Sequence, residues 1–332
     1  MYMPPISMMI NMTLILSVFM AISSSNWFFI WMSMELNMLS FIPLMLNNKH
    51  IMEMEGAVKY FMVQSMASSC MLMCSMSMWF FMFSNVLFKY LMLMALLMKL
   101  GSFPCHFWFP NVMTTCKWNT CILLTTWQKL IPLFVVFSIL DINKKLLMVI
   151  CLSNMVIGGM FGMNNTNIKS IMGYSSISHM GWMLSLKMTS MVLGLYIYFF
   201  MYIIMTIPLF FSFNKTMILN TNSLKLMNKH SFTSTFIICM LIMSMAGLPP
   251  FTGFFMKMMV LYYVLDFSLF FSTSMVILSI MSLYFYLNLC YNMLLNTYMT
   301  NNKMYMKKKI NVINKIFFMM SSLVLTPMIF ML

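Results

Sequence analysis

Apolar stretches of about 17–25 residues recur along this chain from one end to the other, separated by short polar loops. A helix of about 20 apolar residues is what crosses the hydrocarbon layer of a bilayer, and only helices or closed barrels satisfy their backbone there. Eleven such stretches can be read, near 4–23, 25–46, 57–83, 87–108, 119–140, 145–163, 168–187, 189–213, 232–266, 269–293 and 316–331. The expected fold is therefore an all-α polytopic membrane protein of about eleven transmembrane helices. Composition agrees: of 332 residues 62% are apolar and 7% charged, with a mean hydropathy of +0.90. Soluble domains carry about 25% charged residues. The longest polar stretch, roughly 296–315, is too short for a soluble domain.

Against that background the ionisable residues inside the spans stand out. Glu35 is the one acid between Asn26 and Leu46. A carboxylate at such a depth costs about 2.5–3.5 kcal/mol on insertion scales, so it needs a partner or a task. Lys99, Lys129 and Lys257 lie in equally apolar surroundings. One acid and three amines in a membrane interior read as a proton or ion path. Every basic residue of the chain is lysine, so the choice of lysine at these three sites carries little information by itself.

The net charge of +14 is no nucleic-acid signal, because the lysines are scattered among loops without an aromatic-interleaved basic face. The eight cysteines show no C-x-x-C and no His/Cys spacing suited to zinc or an iron–sulfur cluster. G-x-G-x-x-G is absent too, and no metal or redox cofactor site is expected in this chain. No cleaved targeting segment is visible at the N-terminus. Counting loop lysines gives eleven on the side of the N-terminus and four opposite, which places the N-terminus inside and the C-terminus outside. Lys59 lies near a span end and reads as a snorkelling anchor. Lys307, Lys308 and Lys309 read as a solvated loop, with a cardiolipin headgroup site as the alternative.

Two spans are interrupted alike. Gly101-Ser-Phe-Pro104 and Gly247-Leu-Pro249-Pro250 share G-x-x-P and are followed by aromatics. They fall in the fourth and ninth spans, five apart, so equivalent helices of two five-helix units would run in opposite directions. That is the pattern of an inverted repeat with a broken helix in each half. The organisation expected is a single transmembrane domain over 1–332, with a first unit at 1–140, a second at 145–293 and a C-terminal helix at 316–331. Proline and glycine would leave carbonyls unpaired beside the buried lysines. The bland alternative is a pair of simple kinks. A further polar stripe, Ser175, Ser178, His179 and Trp182, shares one helix face. It reads equally as a short hydrogen-bonded water chain or as inter-helix glue.

The ordered set Trp31-x3-Glu35-x-Asn37, Lys59-Tyr-Phe61, Lys99-Leu-Gly101-x2-Pro104-x-His106-Phe-Trp108-x-Pro110, Thr126-Trp-Gln-Lys129-x2-Pro132, Ser175-Ser-Ile-x-His179-x-Gly181-Trp182 and Gly247-Leu-Pro-Pro250-x2-Gly253-Phe-x2-Lys257 resembles the NADH:ubiquinone oxidoreductase chain 2 family. These are antiporter-like membrane subunits of mitochondrial respiratory complex I. The resemblance covers spans two to nine and implies a proton-translocating module. In it Glu35 pairs with Lys99, Lys129 links onward to Lys257, and His179 lies on the polar axis between half-channels. It implies NADH, FMN, iron–sulfur clusters and ubiquinone on partner subunits, with antiporter-like neighbours and lipid around the chain. It also implies a multi-pass place in the mitochondrial inner membrane, with the N-terminus on the matrix side and the C-terminus in the intermembrane space. Animal members lack three N-terminal helices found in bacterial relatives, leaving eleven, and an invertebrate mitochondrial code would account for the 52 methionines. Two other classes stay open on the residues alone: a secondary cation/proton antiporter subunit, and a structural scaffold whose polar residues only glue helices.

Overall fold

The computed structural model describes residues 5–46, 50–80, 86–138, 143–216 and 232–301. Thirteen helices form among them: α1 (Pro5–Ser23), α2 (Trp27–Met45), α3 (Ile51–Phe80), α4 (Val86–Leu100), α5 (Trp108–Thr115), α6 (Trp118–Thr125), α7 (Trp127–Ser138), α8 (Lys144–Asn164), α9 (Ile168–Ser185), α10 (Val192–Thr216), α11 (Phe232–Ala246), α12 (Thr252–Leu265) and α13 (Leu269–Asn301). The expected span at 316–331 lies outside the described residues. Five stretches are long and apolar enough to cross a membrane by length and composition: Trp27–Met45, Trp118–Phe137, Lys144–Asn164, Val192–Thr216 and Leu269–Leu295.

The chain divides into two compact units, Met1–Ile150 and Cys151–Leu332. Both bury polar side chains and expose apolar ones. Lys129 is 2% exposed and His179 3%, whereas Phe270 is 83% exposed and Leu193 76%. Water would favour the reverse distribution, and large apolar surface of this kind is suited to lipid.

In the first unit α3 packs on α2, α4 and α5, and α7 packs on α1, α4 and α6. Close approach of α3 and α5 depends on Gly56, where a Cβ would lie 2.0 Å from Thr115 Oγ1. The span expected at 119–140 is present as the stretch Trp118–Phe137, with a one-residue interruption. It breaks at Thr126, whose hydroxyl bonds back to Ile122 O at 2.6 Å, and restarts at Trp127. The break had no proline or glycine to announce it.

In the second unit α11 and α13 pair, and α12 packs against α9, α10 and α11. Helix α9 is buried on every side except at Tyr174. Small residues make that possible: a Cβ on Gly181 would lie 2.9 Å from Cys151 O, and one on Gly158 2.8 Å from Ser178. Asn167 caps the helix by accepting from Lys169 N at 3.1 Å.

Candidate functional site

Helix α4 ends at Leu100 in a left-handed glycine, Gly101, with φ 67°. Ser102 N donates to Leu97 O at 3.1 Å and Gly101 N to Met98 O at 3.2 Å, the paired bonds of a Schellman cap. Trp108 Nε1 adds a donor to Met98 O at 3.0 Å, and Gln64 Nε2 reaches Lys99 O at 3.3 Å. The expectation of unpaired carbonyls beside Lys99 is therefore corrected: each carbonyl from Leu97 to Lys99 has a donor. The glycine is required, because its conformation is left-handed and a Cβ would stand 2.7 Å from Phe109.

Lys99 is buried at this cap. No direct salt bridge joins it to Glu35, but the Glu35 carboxylate lies within electrostatic range of both Lys99 and Tyr60. Lys129 follows the Thr126 break and is buried, with its ammonium 4.7 Å from the centroid of the Phe109 ring. At that distance the ring face attracts the cation. Phe109 stands at the start of α5, so the α4–α5 bend carries the aromatic face to Lys129.

A hydrogen-bonded chain crosses the same unit. Tyr60 Oη donates to Gln128 Oε1 at 3.1 Å, and Gln128 Nε2 donates to Asn37 Oδ1 at 3.2 Å. It ties α3, α7 and α2 together one residue from Lys129 and two from Glu35. Sequence reasoning quoted these three residues within motifs but assigned them no part. The signal for two of them was their place beside an in-span charge, Asn37 near Glu35 and Gln128 next to Lys129.

At the opposite edge of the chemistry, Glu53 is buried in the first turn of α3 and its Oε1 lies 3.6 Å from Lys117 Nζ. The sequence reading began this span at residue 57 and so missed it. Lys59, read as an anchor, is exposed and pairs with Glu55 at 2.5 Å.

In the second unit α11 stops at Ala246. Gly247, with φ 83°, donates to Met243 O at 3.2 Å, and a turn closes from Phe251 N to Leu248 O at 2.9 Å around Pro249 and Pro250. Here one carbonyl does face a lysine: Lys257 Nζ donates to Ala246 O at 2.6 Å. Gly253 allows the approach, since a Cβ there would stand 1.8 Å from Ser244 O.

His179 lies on α9, with Nδ1 2.9 Å from Tyr198 Oη. The serine stripe beside it is spent locally. Ser175 Oγ donates to Met172 O and Ser178 Oγ to Ser175 O, both at 2.7 Å. Three buried tyrosines, Tyr198, Tyr202 and Tyr286, gather nearby instead, and none was singled out from the sequence. Among the described residues no group of three or more His, Cys, Asp or Glu is placed to hold a metal ion.

Two buried amines, Lys99 and Lys129, and the half-buried Glu35, each beside a break or a polar chain, form an arrangement that can move protons. The family described as NADH:quinone oxidoreductase/Mrp antiporter, TM, matches residues 24–283. The chain belongs to this family. Its similarity to the NADH-ubiquinone oxidoreductase chain 2 of Lumbricus terrestris is 43% identity over 281 residues, 83% of each chain. The chain 2 of Bos taurus is 36% identical over 341 residues, covering 98% of this chain and 96% of the bovine one. Among solved structures, a chain of respiratory complex I from Thermus thermophilus superposes with a TM-score of 0.80 at 19% identity, covering 88% of this chain and 71% of that one. At that identity the likeness concerns the fold. The chain thus has the all-helical, antiporter-type fold of the family.

Proposed function

We propose that this chain is a proton-translocating membrane subunit of respiratory complex I. The observation that carries the reading is the set of buried charges in the first unit: Lys99 on a capped helix end within electrostatic range of Glu35, and Lys129 held against Phe109. The names of relatives similar over most of the chain support it. Desolvation penalises a charged lysine and a nearby carboxylate relieves that penalty. A shift of Glu35 toward or away from Lys99 then switches the lysine between holding and passing a proton, with Lys129 as the next carrier. His179 and Lys257 take the corresponding parts in the second unit. The titrations belong to the coupled set rather than to single residues.

In this reading the chain has eleven spans in an inverted repeat and sits in the mitochondrial inner membrane. Its N-terminus is on the matrix side and its C-terminus in the intermembrane space. NADH, FMN, iron–sulfur clusters and ubiquinone belong to partner subunits, and the neighbours are other antiporter-like chains with lipid between them. The isolated chain then has no NADH oxidation of its own.

The test is E35Q in the assembled complex, reconstituted in proteoliposomes. Glutamine keeps shape and hydrogen bonding and removes charge. Fewer protons translocated per NADH at normal assembly is the expected result; an unchanged ratio overturns the role. The family description also covers Mrp antiporters, which sustains a second reading as a cation/proton antiporter subunit. A stable, purified monomer that exchanges cations for protons by itself would favour it.

A further inference from the structure

Nδ1 of His179 lies 2.9 Å from Tyr198 Oη. Both groups are buried, at 3% and 0% exposure. Two further tyrosines lie close to this pair. From α10, Tyr202 places its ring 5.2 Å from the imidazole. From α13, Tyr286 is fully buried, faces Ser175 one turn along α9, and lies within electrostatic range of Tyr198. Helix α12, which packs against α9, carries Lys257, whose ammonium is hydrogen-bonded to Ala246 O. The partner of Nδ1 is therefore a neutral hydroxyl rather than a carboxylate.

A hydroxyl differs from a carboxylate in one respect that matters here: it both donates and accepts. The proton position of a histidine is set by the hydrogen bond that its other nitrogen makes. We propose that Tyr198 is the proton-relay partner of His179: its hydroxyl donates to Nδ1 of the neutral ring, fixing that ring's proton on Nε2, and serves as the door through which protons reach Nδ1. In a transfer, the Tyr198 O–H bond breaks as Nδ1–H forms. The Tyr198 oxygen takes a replacement proton from an adjacent hydroxyl or water, and Nε2–H is released to the next acceptor. One proton is taken up and one is released, with no net charge left on the tyrosine and no electron moved. Tyr198 can serve both states of the ring, because the same oxygen accepts from Nδ1–H once the ring carries it. The serines along α9 cannot take this part, since Ser175 and Ser178 point their hydrogens at the carbonyls of their own helix.

This inference rests on the reading of the chain as a proton-translocating subunit. The experiment uses the assembled complex in proteoliposomes and compares Y198F, Y198Q, H179Q and the double variant Y198F/H179Q, with protons translocated per NADH as the readout. Phenylalanine keeps the ring and removes the hydroxyl; glutamine keeps a hydrogen-bonding group but cannot relay, because its amide donates from nitrogen and accepts at oxygen. The expected result is a loss in Y198F and in Y198Q equal to that in H179Q, and no further loss in the double variant. A full ratio in Y198F or in H179Q, or losses that add in the double variant, overturns the proposal. If Y198F does not assemble, Y198Q decides: a ratio at the H179Q level supports the relay, and one near that of the unmodified complex overturns it. E35Q run alongside separates the two layers. A complex that loses pumping with E35Q but keeps it with Y198F retains the pump reading and loses the relay.

Discussion

The ammonium of Lys257 is hydrogen-bonded at 2.6 Å to the carbonyl of Ala246, the last residue of the helix before the Gly247 break. Lys99, by contrast, sits at the end of a helix whose last carbonyls already have other donors. The two interruptions look alike in sequence and hold their lysines differently. One offers the amine a backbone acceptor, and the other leaves it to a distant carboxylate.

The Lys257 arrangement depends on a gap too small for a methyl group. Gly253→Ala would push a Cβ to 1.8 Å from Ser244 O, a backbone atom that cannot rotate away. The expected cost is about 1–3 kcal/mol, as for other overpacked sites. It should be read as a lower thermal inactivation temperature of the assembled complex. Gly194→Ala, where the nearest atom is a leucine methyl at 3.4 Å, should be close to neutral in the same assay.

Phe109 supplies the face on which the Lys129 ammonium rests. Phe109→Leu keeps an apolar side chain and removes the ring. Loss of a desolvated cation–π contact of about 2 kcal/mol should weaken the protonated state of Lys129. Proton translocation per NADH should fall while NADH oxidation with an artificial acceptor stays unchanged. Equal losses in both would show damage elsewhere.

The Tyr60–Gln128–Asn37 chain can be dissected by what each deletion strands. Tyr60→Phe removes one hydroxyl and leaves Gln128 its second bond. Gln128→Leu strands both Tyr60 and Asn37, at about 1–3 kcal/mol for each buried group left unpaired. Gln128→Leu should therefore destabilise more than Tyr60→Phe, measured by the amount of assembled complex and its thermal inactivation.

Glu53 and Lys117 form an ion pair of which the acid is buried and the amine is 36% exposed in its side chain. Solvent on the lysine side keeps the pair weak, at about 1 kcal/mol or less. Removing Lys117 alone is the harsher change, because it leaves a buried carboxylate uncompensated. K117M should lower stability, and adding E53Q should restore most of it in a double-mutant comparison.

Much of the architecture was legible because membrane solvent imposes a simple rule on composition. Runs of apolar residues marked the helices, and G-x-x-P marked both interruptions at Gly101 and Gly247. The break at Thr126 was not legible, since a threonine hydroxyl bonding back to its own helix leaves no compositional trace. Glu53 was passed over because α3 begins at Ile51, in a stretch that hydropathy assigns to a loop. The charged residues Glu35, Lys99, Lys129 and Lys257 announced themselves by their cost in an apolar run. Tyr198, Tyr202 and Tyr286 did not, because a tyrosine among phenylalanines changes hydropathy little and its partner comes from another helix. Which carbonyl meets which lysine is a matter of tertiary approach, and no spacing encodes it.

The Schellman cap at Gly101 carries a consequence for motion. A bend whose loose ends are tied by Ser102, Trp108 and Gln64 is a bracket, not a hinge. Swinging α5 against α4 would break the Trp108 Nε1 bond to Met98 O, in surroundings where few other donors could replace it. A bend held in this way favours transfer by side-chain rotation and proton position over movement of the backbone.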